Sequence, residues 1–278
     1  MEFGVSMSLC AGEIVKHLKD PDLGEVGLSV LDDFIEFARQ NKFNVIETGS
    51  TSLIAADLLL PLAEDIKKRI AQFQVVTYHL PSGEINIVAL HQGVRRVAVE
   101  EMKRHIDLCQ EIGINKVVMH PGCFTAMPRT YSLMERQIRD AARESILEIF
   151  DYCQARDIEL SIENLPRNEP FFQTPEEFEP FIKEGIGMVL DTVHALTAKV
   201  KPLSFINKFG NGITEVHLTD GFKEDPASHY PVGTGEVKCL AILKRLEEIN
   251  YEGRIILEVD SKEDLLESLV YLKEHRVF

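Results

Sequence analysis

Short apolar runs rich in β-branched residues recur along the chain, each separated from the next by a longer stretch whose apolar residues return every three or four positions. The runs are EFGVSM (2–7), FNVIET (43–48), FQVVTYH (73–79), NKVVMH (115–120), IELSIE (158–163), IGMVLD (186–191), ITEVHL (213–218) and RIILEV (254–259). Brevity and near-continuous hydrophobicity are the marks of parallel strands buried on both faces. The stretches between them predict helices over 29–41, 61–72, 89–112, 131–156, 174–185, 202–209 (a short piece), 239–250 and 262–275. Thr174, Pro175 and Glu177 supply a cap, a proline at the first helical position and a capping-box acid, while Gly113 and Gly185 stand where helices should stop. Eight strand–helix units predict a single closed (β/α)8 TIM barrel of the α/β class rather than an open doubly wound sheet.

At 278 residues the chain is long enough for one such barrel or for two modest domains. No linker rich in Pro, Gly or Ser divides it, so one barrel domain over residues 1–278 is expected.

Polar residues then interrupt the pattern at one recurring place. His79, His120, Glu163, Asp191, His217 and Glu258 each end an apolar run, which in a closed barrel gathers them at the C-terminal mouth, where such barrels carry their chemistry. The segments 81–86, 121–128, 165–172 and 221–235 concentrate Pro, Gly and aromatic residues on that same side.

Glu163, Asp191, His217 and Glu258 offer three carboxylates and one imidazole from four successive strands. Three buried carboxylates in proximity repel one another or take up protons unless a cation sits among them. A mixed oxygen and nitrogen set suits Mn²⁺ or Zn²⁺ first, with Co²⁺ and Mg²⁺ as alternatives, and the histidines leave room for more than one ion per chain. Asp191-Thr192-Val193-His194 brings a second imidazole toward the same cavity after a tight turn, and Pro121-Gly122 would expose His120 at the mouth. His79, His120, His194 and His229 are therefore candidates for further metal or substrate contacts, against the plainer reading of satisfied core, cap or surface histidines.

Composition narrows the classes. No run approaches the roughly 18 apolar residues of a membrane span, and MEFGVSMSLC lacks a basic start and cleavage pattern, so a cytoplasmic chain is expected. Five cysteines without a C-x-x-C pair argue against a disulfide framework and for small buried side chains. A formal charge of -15 repels nucleic acid at long range without excluding a local contact. GTGEV lacks the GK[ST] element of a phosphate-binding loop, so its glycines serve turns. Arg95 and Arg96 are expected to be solvated or paired, and Phe171 and Phe172 to cap an apolar patch or meet another subunit.

Taken in series, HPG (120–122), IENL (162–165), LDTVHA (190–195), VHLTD (216–220), VGTGEV (232–237) and ILEV (256–259) resemble the xylose isomerase-like barrel superfamily over nearly the whole chain. That superfamily includes sugar isomerases, tagatose-type epimerases, inosose dehydratases and endonuclease IV. Resemblance to the isomerase and epimerase branch, which the stretch from Tyr78 to Gly113 shares, implies a single metal held by Glu163, Asp191, His217 and Glu258, with Glu163 and Glu258 moving protons. Resemblance to endonuclease IV implies a three-zinc centre using His79, His120, His194 and His229 as well. That branch places an aspartate two residues before the counterpart of His229, where this chain has Ala227; the tagatose-type epimerases commonly place an arginine where it has His229.

The leading expectation is a metal-dependent isomerase or epimerase acting on a small sugar, sugar phosphate or polyol through an enediolate. Hydrolysis of phosphodiesters at abasic DNA is the alternative, and a polyol-binding barrel without catalysis the third. The sequence leaves the oligomeric state open.

Overall fold

The computed structural model describes the chain apart from residues 18, 20, 21, 50–53, 124–127 and 226–228, and of residues 128–131 only the backbone. The eight expected strands all form: β1 (Glu2–Ser6), β2 (Val45–Gly49), β3 (Val75–His79), β4 (Lys116–Met119), β5 (Glu159–Glu163), β6 (Gly187–Asp191), β7 (Ile213–Leu218) and β8 (Arg254–Leu257). They pair in parallel in chain order, and β8 closes on β1 through Glu2 opposite Arg254 and Val5 opposite Leu257.

Alternation along each strand separates two compartments. Val216 and Leu218 of β7 are buried against the helical layer, while Glu215 and His217, which alternate with them, turn inward to contact each other, Glu215 also approaching Arg254. Tyr78 of β3 likewise leaves the barrel, its hydroxyl 2.8 Å from His105 Nδ1 on the helix Gln92–Ile112, whereas its neighbour His79 faces the interior. One-residue register differences of this kind decide which side chains belong to the core and which to the mouth.

Helix ends follow the sequence closely in some places. Thr174 caps Pro175–Lys183 with a complete capping box, Glu177 also accepting from Phe172 N and Gln173 N and pairing with Arg139 at 2.7 Å. Gly113 ends Gln92–Ile112 in the left-handed region at φ 83. Elsewhere the structure departs from the expectation. A helix fills Ala11–Lys16 after β1, and the next begins at Leu23, six residues before Ser29, because Asp22 caps it by accepting from Glu25 N. Thr192–Thr197 is also helical, directly after β6, where a tight turn was expected.

Phe171 and Phe172 are buried rather than set for a subunit contact: Phe172 packs on Phe171, Phe178 and Phe181 at centroid distances of 5.4–5.8 Å. Hydrophobic burial thus removes the second of their two expected roles. Arg95 pairs with Glu144 at 3.2 Å, and Cys10, Cys109, Cys153 and Cys239 are buried free thiols. Among the described residues no helix is long and apolar enough to cross a membrane.

Candidate metal centre

All six strand-end residues meet at the mouth, together with His194 and His229. Glu163 is the hub. Its Oε2 lies 3.2 Å from His79 Nε2 and 3.3 Å from His120 Nε2, and its Oε1 3.3 Å from His194 Nδ1 and 3.4 Å from His217 Nδ1. Glu258, one residue past the end of β8, reaches the same His217 Nδ1 at 2.8 Å. Asp191 stands opposite His217 in the β6–β7 register, and His229 Nε2 approaches its Oδ2 at 3.6 Å.

Local structure explains the placement of His194. Asp191 Oδ1 accepts from His194 N at 2.6 Å, making the carboxylate the cap of Thr192–Thr197 and fixing the imidazole one turn along. Asn164 grips Asp191 from the other side, donating Nδ2 to its carbonyl at 3.0 Å and accepting from its N–H at 2.8 Å. The carbonyl of Asn164 then accepts from His194 Nδ1 at 2.9 Å. His229 is brought in by its loop: Tyr230 forms an antiparallel bridge with Asp220, and His229 N donates to Asp260 Oδ2 at 3.1 Å. Ala227 lies outside the described residues.

Four groups of potential ligand atoms emerge among the described residues, each gathered within 4.8 Å: His79, His120 and Glu163; Glu163, Asp191, His217 and Glu258; Asp191, His194 and His229; and Glu47, Glu215 and His217. Glu163 joins the first to the second, and Asp191 the second to the third. Orphaned atoms test whether a cation fits. Glu163 Oε1, Asp191 Oδ2, His217 Nδ1 and His229 Nε2 are buried without a hydrogen-bond partner, although each has an oppositely disposed group close by. Buried polar atoms are rarely left so, and convergent lone pairs that face one another without a hydrogen bond are the arrangement a divalent ion satisfies. The clustered histidines and carboxylates can coordinate a divalent metal, and their hard oxygen and imidazole donors fit the expected ions.

Protonation follows from the same contacts. His79 Nδ1 lies 2.8 Å from the carbonyl oxygen of Leu80, which only accepts, so Nδ1 carries hydrogen and Nε2 faces Glu163. Burial alone would discharge this ring, but the Glu163 hydrogen bond and the charges of Glu47, Glu163 and Glu258 raise its pKa to about 9. Burial also opposes charge on His229, and is outweighed by the facing Asp191 carboxylate and by Glu258, again to about 9. For Glu163 burial favours the neutral acid, yet His217, His120 and His194 hold its carboxyl well below the usual range. Glu258, largely enclosed but beside His217 and His229, falls to about 2.

Protons and metal therefore compete. In the metal-free centre the raised histidine pKa values contribute stability below the ordinary value of 6.5, and this is lost as pH climbs through about 9. An entering dication displaces those protons, so zinc titration at neutral pH should release at least about one proton per chain, with apparent affinity rising with pH and levelling above about 9. Calorimetry in buffers of different ionisation enthalpy measures the released protons; none released at pH 7 would mean that these rings do not bind metal.

Two acids escaped the sequence reading. Glu47 of β2 and Glu215 of β7 are both buried, and both face the other edge of the His217 ring, at 3.3 Å and 3.2 Å from Nε2. Glu215 was legible from strand periodicity, standing two residues before His217 on the same inward face.

Known proteins resemble the chain in sequence and in fold. The uncharacterized protein MJ1311 of Methanocaldococcus jannaschii is 29% identical over 208 residues, 72% of this chain and 69% of that protein. A probable endonuclease 4 of Nitratidesulfovibrio vulgaris is 28% identical over 162 residues, covering 58% of this chain and 50% of its own length. In fold the chain is similar to a crystal structure of a D-tagatose 3-epimerase-like protein, with a TM-score of 0.79 at 24% identity over 100% of this chain and 98% of that one. The sequence model for the xylose isomerase-like TIM barrel matches residues 35–275, from ahead of β2 through the last helix, and the chain belongs to that family.

Proposed function

We propose that the protein is a divalent-metal-dependent isomerase or epimerase of a small sugar, sugar phosphate or related polyol. One observation carries the reading: two glutamates, Glu163 and Glu258, flank a single imidazole nitrogen, His217 Nδ1, at 3.4 Å and 2.8 Å. Similarity in fold to the D-tagatose 3-epimerase-like structure supports it.

Glu163, Asp191, His217 and Glu258 would hold the ion. Bound there, it would polarise a substrate carbonyl and adjacent hydroxyl and stabilise the negative charge of an enediolate. The two glutamates do the proton work. Both are held ionised by their histidine neighbours, so one is ready to take a proton from carbon while the other, once protonated, returns one to the opposite face or the adjacent carbon. Glu258 keeps about 13% of its side chain exposed and Glu163 about 1%, which gives Glu258 the easier exchange with solvent. His120, at 25% side-chain exposure, and His194 are placed to orient hydroxyls. Carboxylates of such low pKa are weak bases toward carbon, which makes turnover wholly dependent on acidification of the substrate.

A second reading, hydrolysis of phosphodiesters at abasic DNA, is favoured by the linked, histidine-rich ligand groups and by the endonuclease-named relative. Against it stand the charge of -15 and Ala227 in the place of the endonuclease aspartate. Metal quantification on chelator-free protein, with parallel assays on a ketose panel and an abasic duplex, separates them. About one ion per chain with ketose turnover supports the first reading; about three with nicking of the duplex replaces it by the second. Metal binding with neither activity supports a polyol-binding barrel.

A further inference from the structure

The His217 ring has a second polar edge, and the groups on that edge have no part in the proton chemistry above. Its Nδ1 faces Glu163 and Glu258, while its Nε2 faces Glu47 Oε2 at 3.3 Å and Glu215 Oε1 at 3.2 Å. The ring is fully buried, as is Glu47. Glu47 comes from β2, three strands around the barrel from β7, and so crosses the interior to reach the ring. Its other oxygen is fixed by Ser6 of β1, whose hydroxyl donates to Glu47 Oε1 at 2.9 Å. Glu215 Oε1 is the hydrogen-bond partner of Nε2, with its other oxygen 3.8 Å from Arg254 Nε, while Glu47 Oε2 stands beside the same nitrogen without a hydrogen bond.

Electrostatics then decide the tautomer. A bare Nε2 lone pair would point at two acceptor oxygens in a fully buried site, whereas an Nε2–H is attracted to both. Hydrogen is thereby held on Nε2 and the lone pair on Nδ1, the nitrogen that looks toward Glu163 and Glu258. A carboxylate behind a ligating histidine also raises the basicity of the ring and restrains its rotation.

We propose that Glu47 is a positioning residue for the metal centre: anchored by Ser6, it sets its carboxylate 3.3 Å from His217 Nε2 beside Glu215, which accepts the hydrogen bond, and the two together hold hydrogen on Nε2 and present Nδ1 to the ion. The inference rests on His217 as a metal ligand, and is independent of which reaction the centre performs.

The test uses zinc chloride and the full chain. In the zinc-loaded parent, nitrogen-15 spectra of the histidine side chains should show His217 protonated at Nε2 and bound through Nδ1. Glu47→Gln should weaken zinc binding by about 10–100-fold, the usual cost of losing an outer carboxylate behind a ligating histidine. Ser6→Ala, which frees Glu47 without removing it, should weaken binding by less, and circular dichroism should report the same fold for all three proteins. Glu47→Gln with affinity within about twofold of the parent, or a loaded parent without hydrogen on Nε2, would overturn the inference. So would the loss of one whole zinc equivalent at saturation, which would make Glu47, Glu215 and His217 ligands of a separate ion. Should Glu47→Gln not fold, the parent spectrum alone decides. No readout involves substrate, so a protein inactive on every ketose tested still gives an answer.

Discussion

Glu163→Gln is expected to reduce turnover by about 10²–10⁴-fold or more, the range spanned by loss of a general acid–base group, and to empty the centre of metal in the same step. The second effect follows from position. Glu163 stands within 3.4 Å of four imidazoles and is shared by two of the four ligand groups. An amide has one acceptor where the carboxylate has two, and its NH₂ end turns a donor toward rings that need an acceptor or a shared cation. The metal-free variant should also lose the partner that keeps His79 charged to about pH 9, so its His79 titrates lower.

Glu258→Gln should separate the two roles. Glu258 belongs to one ligand group and touches the mouth through its partly exposed side chain, so the variant should keep more metal than Glu163→Gln while losing turnover to a similar degree. Metal content and kcat measured on the same preparations distinguish these outcomes. Near-full isomerase turnover by both variants would remove the glutamates from the reaction.

Physical reasons mark where the sequence was legible and where it was not. Parallel strands buried on both faces cannot hide in a sequence, because each must be a short continuous apolar run; all eight formed where such runs lie. A polar residue ending such a run has few places to go in a closed barrel, which is why six strand-end residues could be gathered before any coordinates. Glu47 escaped because Thr48 and Gly49 extend β2 past it, so it reads as an interior strand residue. Only the register across the barrel reveals that it meets His217.

The helix Thr192–Thr197 was invisible for a different reason. It opens with Thr192 and Val193, β-branched residues of modest helix propensity, and forms because Asp191 caps it and the barrel buries it. Gly49 carries another unread constraint. Its φ is +90, and a Cβ there would stand 2.3 Å from the carbonyl oxygen of His79, so the backbone that supports His79 depends on a missing side chain.

Asp220→Ala, a change at a residue with no part in the proposed proton transfer, should cost about 3 kcal/mol of stability and release His229 from the centre. Asp220 is fully buried at the end of β7 and accepts three backbone N–H groups from its own loop: Gly221 and Val237 at 2.8 Å through Oδ1, and Gly233 at 3.0 Å through Oδ2. The amides of Gly221 and Val237 are buried, and leaving a buried donor without an acceptor costs about 1–3 kcal/mol each. Water cannot easily substitute, because Gly235 packs so closely that a Cβ on it would lie 2.4 Å from Gly221 O. Asp220→Asn retains one carbonyl oxygen for the two buried amides but turns an NH₂ toward Gly233, and should fall between the parent and Asp220→Ala. Urea unfolding gives the stability, and zinc titration gives the fate of the group formed by Asp191, His194 and His229. If Asp220→Ala shifts unfolding by less than about 1 kcal/mol and leaves zinc binding intact, the loop is held by its Tyr230 bridge and its glycine contacts instead, and the carboxylate is not what carries His229 to the mouth.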